Sequence, residues 1–385
     1  MESQPYTGMP PDAHSSTPPR DWLPFASALI RTPSHEDETA AGDLLVRWLE
    51  THTDATVRRD DARNVIARRG EGEPTLALVG HHDVVPPADQ QLTDGAETAR
   101  PVVNTTGERL YGRGSADMKG ALAVLCAAFA DADPPGELVF ASFVGEEDGG
   151  IGAQHAIENG FAPDYAVVGE GSTGYGTPGV TDIAIAQRGR RASTIRARGT
   201  SAHAGEPDAG ENAIYRASEA IEQVQSMAVG QTTIEGAGTL EASLSATEIE
   251  GGTAWNVVPE RCTVTLDERT IPGVDRAPLE ALESQAGITV STEQELPPMA
   301  CTDDQFARQA REAASAHQAG EPELQTKPHA NDAGWLAATG SSCVVCGPAE
   351  PGEAHTADES VSLDALETCE AIYRTLATMV LEGGE

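Results

Sequence analysis

Apolar runs of strand length recur along the chain, and several of them stop abruptly at polar residues. Leu76, Ala77, Leu78 and Val79 lead through Gly80 into His81, His82 and Asp83. LVFASFV runs to Gly145 before Glu146, Glu147 and Asp148, and DYAVVG runs out before Glu170. Continuous apolar runs of this length read as strands buried on both faces. Strands alternate with helices over 109–131, 137–160 and 164–172, which predicts a mainly parallel sheet with helices on both sides. Upstream, an amphipathic helix from Asp21 reaches Thr32-Pro33. Ser34 with Asp37 then resembles a capping box for a second helix through Leu49, and short strands follow at 56–58 and 64–67.

Near Thr181 the order changes. Strand 183–198, helix 211–227, strands 239–250 and 261–267, helix 276–284 and strand 288–292 form the βαββαβ series of a ferredoxin-like unit. Beyond it come a helix at 303–318, another after Asn331, the strand SSCVVCG and a C-terminal helix. In that last helix Leu363, Leu366, Cys369, Ile372, Leu376 and Met379 make a core stripe. The expected architecture is α/β, a mainly parallel-sheet domain (21–182 and 299–385) interrupted by an α+β insertion (183–298). Residues 1–20, rich in Pro, Ser and Thr, read as a flexible leader.

Charge adds a second layer. The 385 residues carry 61 acidic and 25 basic side chains, a net charge of −36, and lysine occurs only at 119 and 327. Such self-repulsion is tolerable when counterions screen it, so the composition reads as adaptation to a high-salt cytoplasm. It argues against nucleic acid or an anionic membrane as partner. With 39% hydrophobic residues the chain is not a disordered acidic tail. The six cysteines follow no disulfide spacing, and Cys343-Val-Val-Cys346 reads as part of a core strand. No run reaches membrane-spanning length and the N-terminus lacks a basic or apolar signal region, so a cytoplasmic protein is expected.

The candidate chemistry gathers where strands end, the edge at which open α/β sheets bind ligands. By alternation His81 and Asp83 share a face and His82 points away, which suits a metal-binding imidazole oriented by a carboxylate. A surface turn that happens to hold histidines would read the same. Asp117 follows the turn Gly112-Arg113-Gly114 and precedes a helix, a place where a simple helix cap would also stand. Adjacent carboxylates at Glu146 and Glu147 point apart, which suits one to metal and the other to proton transfer. Glu170 and His355 complete a set of nitrogen and oxygen donors. Such a set fits zinc, cobalt or manganese, and a shared aspartate suits two metals.

GHHDVVP, LYGRGSADMKG, VGEEDGG, VVGEGS and AHTADES together resemble the M20 metallopeptidases, in the family's order and over nearly the whole chain after the leader. The resemblance implies a zinc-hydrolase catalytic domain with an inserted lid that also forms a dimer. It implies that His81, Asp117 and Glu170 bind one of two divalent ions, zinc foremost, and that Asp117, Glu147 and His355 bind the other. Asp83 would orient His81, and Glu146 would be the general base. His203 on the lid would reach a partner subunit's active site to help hold the oxyanion. Asn256 and Arg269 would meet the substrate carboxylate or oxyanion, and Arg190 is a weaker candidate for an acidic acyl group. Read bare, His203 is a loop histidine and Arg269 a strand-end ion pair. The expected activity is hydrolysis of the amide of N-acyl amino acids, of deacetylase or desuccinylase type. A carboxypeptidase or dipeptidase, or a non-catalytic metal- or peptide-binding dimer, stand as alternatives. One departure is KPHANDAGW, where relatives carry a glycine-rich turn. It places His329 and Asn331 before Asp332.

Overall fold

A computed structural model describes residues 20–93, 101–132 and 135–382. The expected leader, apart from Arg20, lies outside the described residues. Arg20 itself is tied to Glu108, Asp364 and Glu367 by ion pairs of 2.6 to 3.1 Å.

The largest sheet has nine strands. At its centre Glu137–Phe143, Thr75–His81, Tyr165–Val168 and Ser342–Val345 lie side by side and parallel, so their carboxyl ends share one edge. Alternation along each strand feeds two cores. Leu76, Leu78, Leu138 and Phe140 face one cluster, which the helices Lys119–Asp131 and Leu363–Glu382 complete. Ala77, Val79, Val139 and Ala141 face the other, built with Ala153, Ala156, Ala333 and Leu336. The stripe of the C-terminal helix is buried from Leu363 to Leu376, with Met379 partly buried. Cys346 is buried in the first cluster and Cys343 in the second, both as free thiols, and burial raises the Cys343 thiol.

The insertion holds a four-stranded antiparallel sheet in the order Ser243–Gly251, Arg261–Arg269, Arg190–Arg198, Ile288–Leu296. Helix Ala213–Ser226 packs on it through Ala213, Ala217, Ala220 and Val224. Asn212 caps that helix, its side-chain oxygen accepting from the Ile214 amide at 2.9 Å. The chain is thus an α/β domain carrying a ferredoxin-like insertion.

Several elements differ from expectation. The strand expected over 183–198 is two: Ile183–Gln187 belongs to the large sheet and Arg190–Arg198 to the small one. The chain crosses between sheets at Arg188-Gly189, and a Cβ at Gly189 would lie 2.5 Å from the Pro298 nitrogen, where the chain returns. The strand expected over 239–250 breaks at Ala242, because Gly238–Glu241 turns back to pair with Gln231–Ile234. The second insertion helix shortens to a 3-10 segment, Leu279–Ser284. No Ser34 capping box forms. Helix Thr39–His52 begins later, with Asp37 Oδ1 accepting from the Thr39 amide at 2.9 Å, while Ser34 is buried. Among the described residues no helix is long and apolar enough to cross a membrane.

Candidate metal centre

Five site residues reach one place because four parallel strands end there. His81 is the last residue of Thr75–His81, Glu146 and Glu147 follow Glu137–Phe143, Glu170 follows Tyr165–Val168, and His355 follows Ser342–Val345. Asp117 arrives from the side, on the turn before helix Lys119–Asp131. Gly114 shapes that turn: its φ is 83°, and a Cβ there would stand 2.8 Å from Val84. His355 itself holds a left-handed backbone, φ 60°.

Two groups of ligand atoms result, each with its members within 4.8 Å of one another: His81, Asp117 and Glu170, and Asp117, Glu147 and His355. His81 Nε2 is 3.1 Å from Asp117 Oδ1 and 3.2 Å from Glu170 Oε1. His355 Nε2 is 3.0 Å from Asp117 Oδ2 and 2.9 Å from Glu147 Oε1. Asp117 therefore offers one oxygen to each group.

The donor set fits divalent metal. Asp117, Glu146, Glu147 and Glu170 crowd one cavity, and Lys327 pairs with Glu170 alone, so the remaining carboxylates repel one another unless a bound cation or protons offset them. Burial would lower the His81 pKa, but Asp83, Asp117 and Glu170 hold it well above the ordinary value. Hydrogen bonds to Asp117 and Glu147 push His355 up to about 10. Asp117 is correspondingly depressed: burial opposes this, and His355 and His81 outweigh it. Burial first, then Asp332, Glu170 and Glu147, raise Glu146 well above its ordinary value. Oxygen and imidazole donors without thiolate suit zinc, cobalt or manganese.

The surrounding residues fix these groups. His81 Nδ1 donates to the Asp83 carbonyl at 3.2 Å, with Asp83 Oδ1 at 3.3 Å, so Asp83 meets the ring with both backbone and side chain. His82 does point away, buried, with Nδ1 2.8 Å from Ser142 Oγ. Glu359, buried and paired with Arg113, accepts from the amides of Ala116 and Asp117 at 3.0 and 3.2 Å.

A cavity of about 420 Å³ opens over the metal groups, lined by Glu146, Tyr175, Arg190, Arg269, Lys327 and His329 among others. Arg269 donates twice to Asp267, at 2.7 and 3.2 Å, and Arg190 Nε lies 3.5 Å from the same carboxylate. Two guanidiniums thus share one aspartate. His203 and Asn256 are not among the cavity's described lining residues. They sit together elsewhere on the insertion, where the Ala204 amide donates to Asn256 O at 2.9 Å. His203 is exposed, its Nδ1 accepting from the Gly205 amide at 3.0 Å.

In the KPHANDAGW segment, Asn331 is buried and its Oδ1 accepts from the Ala333 amide at 3.0 Å, so it shapes the entry to helix Ala333–Ala338. His329 lines the cavity, its pKa lowered by burial and then by Lys327 and Arg269. Two residues were not foreseen. Lys327 Nζ lies 3.3 Å from Glu170 Oε2 and 2.9 Å from Gly171 O. Asp332 is 1% exposed with neither carboxylate oxygen hydrogen-bonded, and burial raises it to about 7. Gly150, at φ 73°, lets Asp332 close in, since a Cβ there would lie 2.7 Å from Asp332 Oδ1. The scarcity of lysine was the one sequence signal that pointed to Lys327. A buried aspartate has no such signature.

This sheet, its insertion and a shared-aspartate donor cluster define a metal-dependent hydrolase frame, and residues 77–379 match the model of peptidase family M20/M25/M40. The chain belongs to that family. It is 30% identical over 345 residues to a succinyl-diaminopimelate desuccinylase of Stenotrophomonas maltophilia, covering 84% of this chain and 89% of the relative. A protein of Pyrobaculum aerophilum named for LysW-lysine and LysW-ornithine hydrolysis is 30% identical over 341 residues, covering 88% and 91%. In three dimensions the chain resembles an M20 metallo-carboxypeptidase of Sulfolobus solfataricus, with TM-score 0.74, 15% identity, and coverage of 93% and 98%. It also resembles a dinuclear metal-binding M20 peptidase of Bacillus subtilis, with TM-score 0.66, 17% identity, and coverage of 94% and 98%.

Proposed function

We propose that this protein hydrolyses the amide bond of N-acyl amino acids, using two divalent ions, zinc foremost. The observation that carries this is Asp117, which faces both His81 and His355 while Glu146 lines the same cavity. His81, Asp117 and Glu170 would hold one ion and Asp117, Glu147 and His355 the other. Bound there, the ions supply Lewis acidity toward the carbonyl and make water a stronger acid. Glu146 accepts the proton of the attacking water and delivers it to the leaving nitrogen. Its burial among other acids raises its proton affinity, which suits both halves of that task.

Arg190 and Arg269 would receive a substrate carboxylate. Their shared Asp267 cancels only one of the two positive charges, which leaves one to be met by the substrate. The succinyl group named for the Stenotrophomonas maltophilia relative carries a carboxylate, which agrees with an acidic ligand. His203 would act on the site of a second copy, with Asn256 beside it. The insertion offers a surface for that association: strand Ser243–Gly251 lies at a sheet edge, with Tyr215 and Ile249 exposed at 69% and 57%.

The deciding experiment is a panel of N-succinyl and N-acetyl amino acids and dipeptides, assayed with zinc or cobalt in concentrated KCl. Hydrolysis of an N-acyl member ahead of the dipeptides is expected. A folded, metal-loaded sample that cleaves nothing would leave the non-catalytic binder as the better reading.

A further inference from the structure

Lysine has almost vanished from this chain, and the two that persist, Lys119 and Lys327, are 1% and 4% exposed. Arginine fills every other Lys/Arg position. Burying an ammonium costs several kcal/mol unless it is well paired, so a buried lysine in such a composition asks for a reason that arginine cannot meet.

Lys327 ends the strand Leu324–Lys327, which runs parallel to Ile183–Gln187 with Lys327 opposite Gln187. Its carbonyl accepts from the Arg188 amide at 3.1 Å, so the backbone is fixed where the chain leaves the large sheet. The ammonium is fixed too, donating to Gly171 O at 2.9 Å and to Glu170 Oε2 at 3.3 Å. The other oxygen, Glu170 Oε1, is the one that faces His81 Nε2 at 3.2 Å. The two oxygens of one carboxylate are thereby divided between a lysine and a candidate metal position.

We propose that Lys327 is a positioning residue that keeps Glu170 a one-oxygen metal ligand, holding Oε2 away so that the ion bound by His81 retains an open place for substrate. This inference rests on the metal-hydrolase reading. It explains the choice of lysine. A guanidinium presents a planar fork that pairs with both oxygens of a carboxylate and would compete for Oε1, whereas an ammonium is a point donor that engages one. The neighbouring carbonyl of Gly171 takes a second N–H and fixes the direction of the first. Without Lys327, Oε2 is free to turn to the ion and fill the position that substrate needs.

The test uses the full chain loaded with cobalt(II) in molar KCl, without substrate. The visible ligand-field absorption of cobalt(II) weakens as its coordination number rises, so it reports whether Glu170 contributes one oxygen or two. In Lys327→Met the band should fall about twofold or more, and turnover should drop roughly 10- to 100-fold, the range seen when the residue supporting a metal ligand is removed. A role limited to charge neutralisation predicts the opposite pattern: cobalt binds more tightly, by chelator competition, and the band keeps its wild-type intensity. That result would overturn the proposal. Should Lys327→Met fail to fold by circular dichroism, Lys327→Gln carries the same expectation, because its uncharged amide stops short of Oε2. The band is read without turnover, so a protein that hydrolysed no substrate would count against the proposed function and leave this measurement intact.

Discussion

The backbone amide of Glu147 donates to Asp83 Oδ2 at 3.0 Å, while the other oxygen of the same carboxylate lies 3.3 Å from His81 Nδ1. One buried aspartate therefore touches a residue of each candidate metal group. Asp83→Asn keeps the shape but removes the charge, and it should weaken both metals together, by roughly 10- to 100-fold in affinity. Competition with a chelator, followed by metal analysis, measures this. Loss at one position alone would show that the two groups are held independently.

Glu146→Gln should abolish turnover and leave metal content near wild type, since Glu146 belongs to neither group of converging ligand atoms. Metal analysis of the purified variant beside its kcat checks both halves. Equal loss of metal and activity would make Glu146 a ligand.

His82 gives a prediction for pH. Burial, despite the attraction of Asp83, lowers its pKa from 6.5 to about 3. Between those values the unfolded chain binds a proton that the folded chain refuses, so acid favours unfolding there by about 1.4 kcal/mol per pH unit for one group. His82→Gln should therefore show a shallower fall in stability from pH 6.5 toward pH 3 in denaturant titrations at fixed KCl. Parallel curves for the two proteins would contradict it.

Much of this centre could be read from residues in sequence, and the reason is geometric. A strand buried on both faces must be apolar throughout, so a sudden His81 or Glu146 marks its end, and parallel neighbours bring such ends together. Lys327 and Asp332 escaped because a buried charge is explained only by what faces it, here Glu170 and the Gly150 turn. The passage at Gly189 escaped because both of its strands alternate alike and a single glycine between them breaks no pattern. His203 and Asn256 lie on the insertion, apart from the described lining of the cavity, and no buried apolar strand ends at either.

The net charge of −36 sets the salt dependence. Repulsion among surface carboxylates extends about 10 Å at ~0.1 M salt and about 3 Å at ~1 M. Melting temperature should rise steeply between those KCl concentrations. A value indifferent to KCl would remove the high-salt reading.

His203 makes the dimer testable. Mixed subunits carrying His203→Ala and Glu146→Ala, each inactive alone, should regain activity after exchange, because one of two sites then pairs an intact base with an intact partner histidine. Heterodimers confirmed by mass that stay inactive would exclude a role in trans.

The parallel strands that deliver the ligands also set a timetable. His81, Asp117 and Glu170 stand on strands and a turn made early in the chain, and the three strands Glu137–Phe143, Thr75–His81 and Tyr165–Val168 are direct neighbours. His355 follows a strand that joins their flank only after the whole insertion has been synthesised. On the ribosome, the candidate group of His81, Asp117 and Glu170 thus has all its members while the other still lacks its imidazole. The insertion is in this sense a delay line, separating the moment when the first candidate ligand group is complete from the moment when the second one can be.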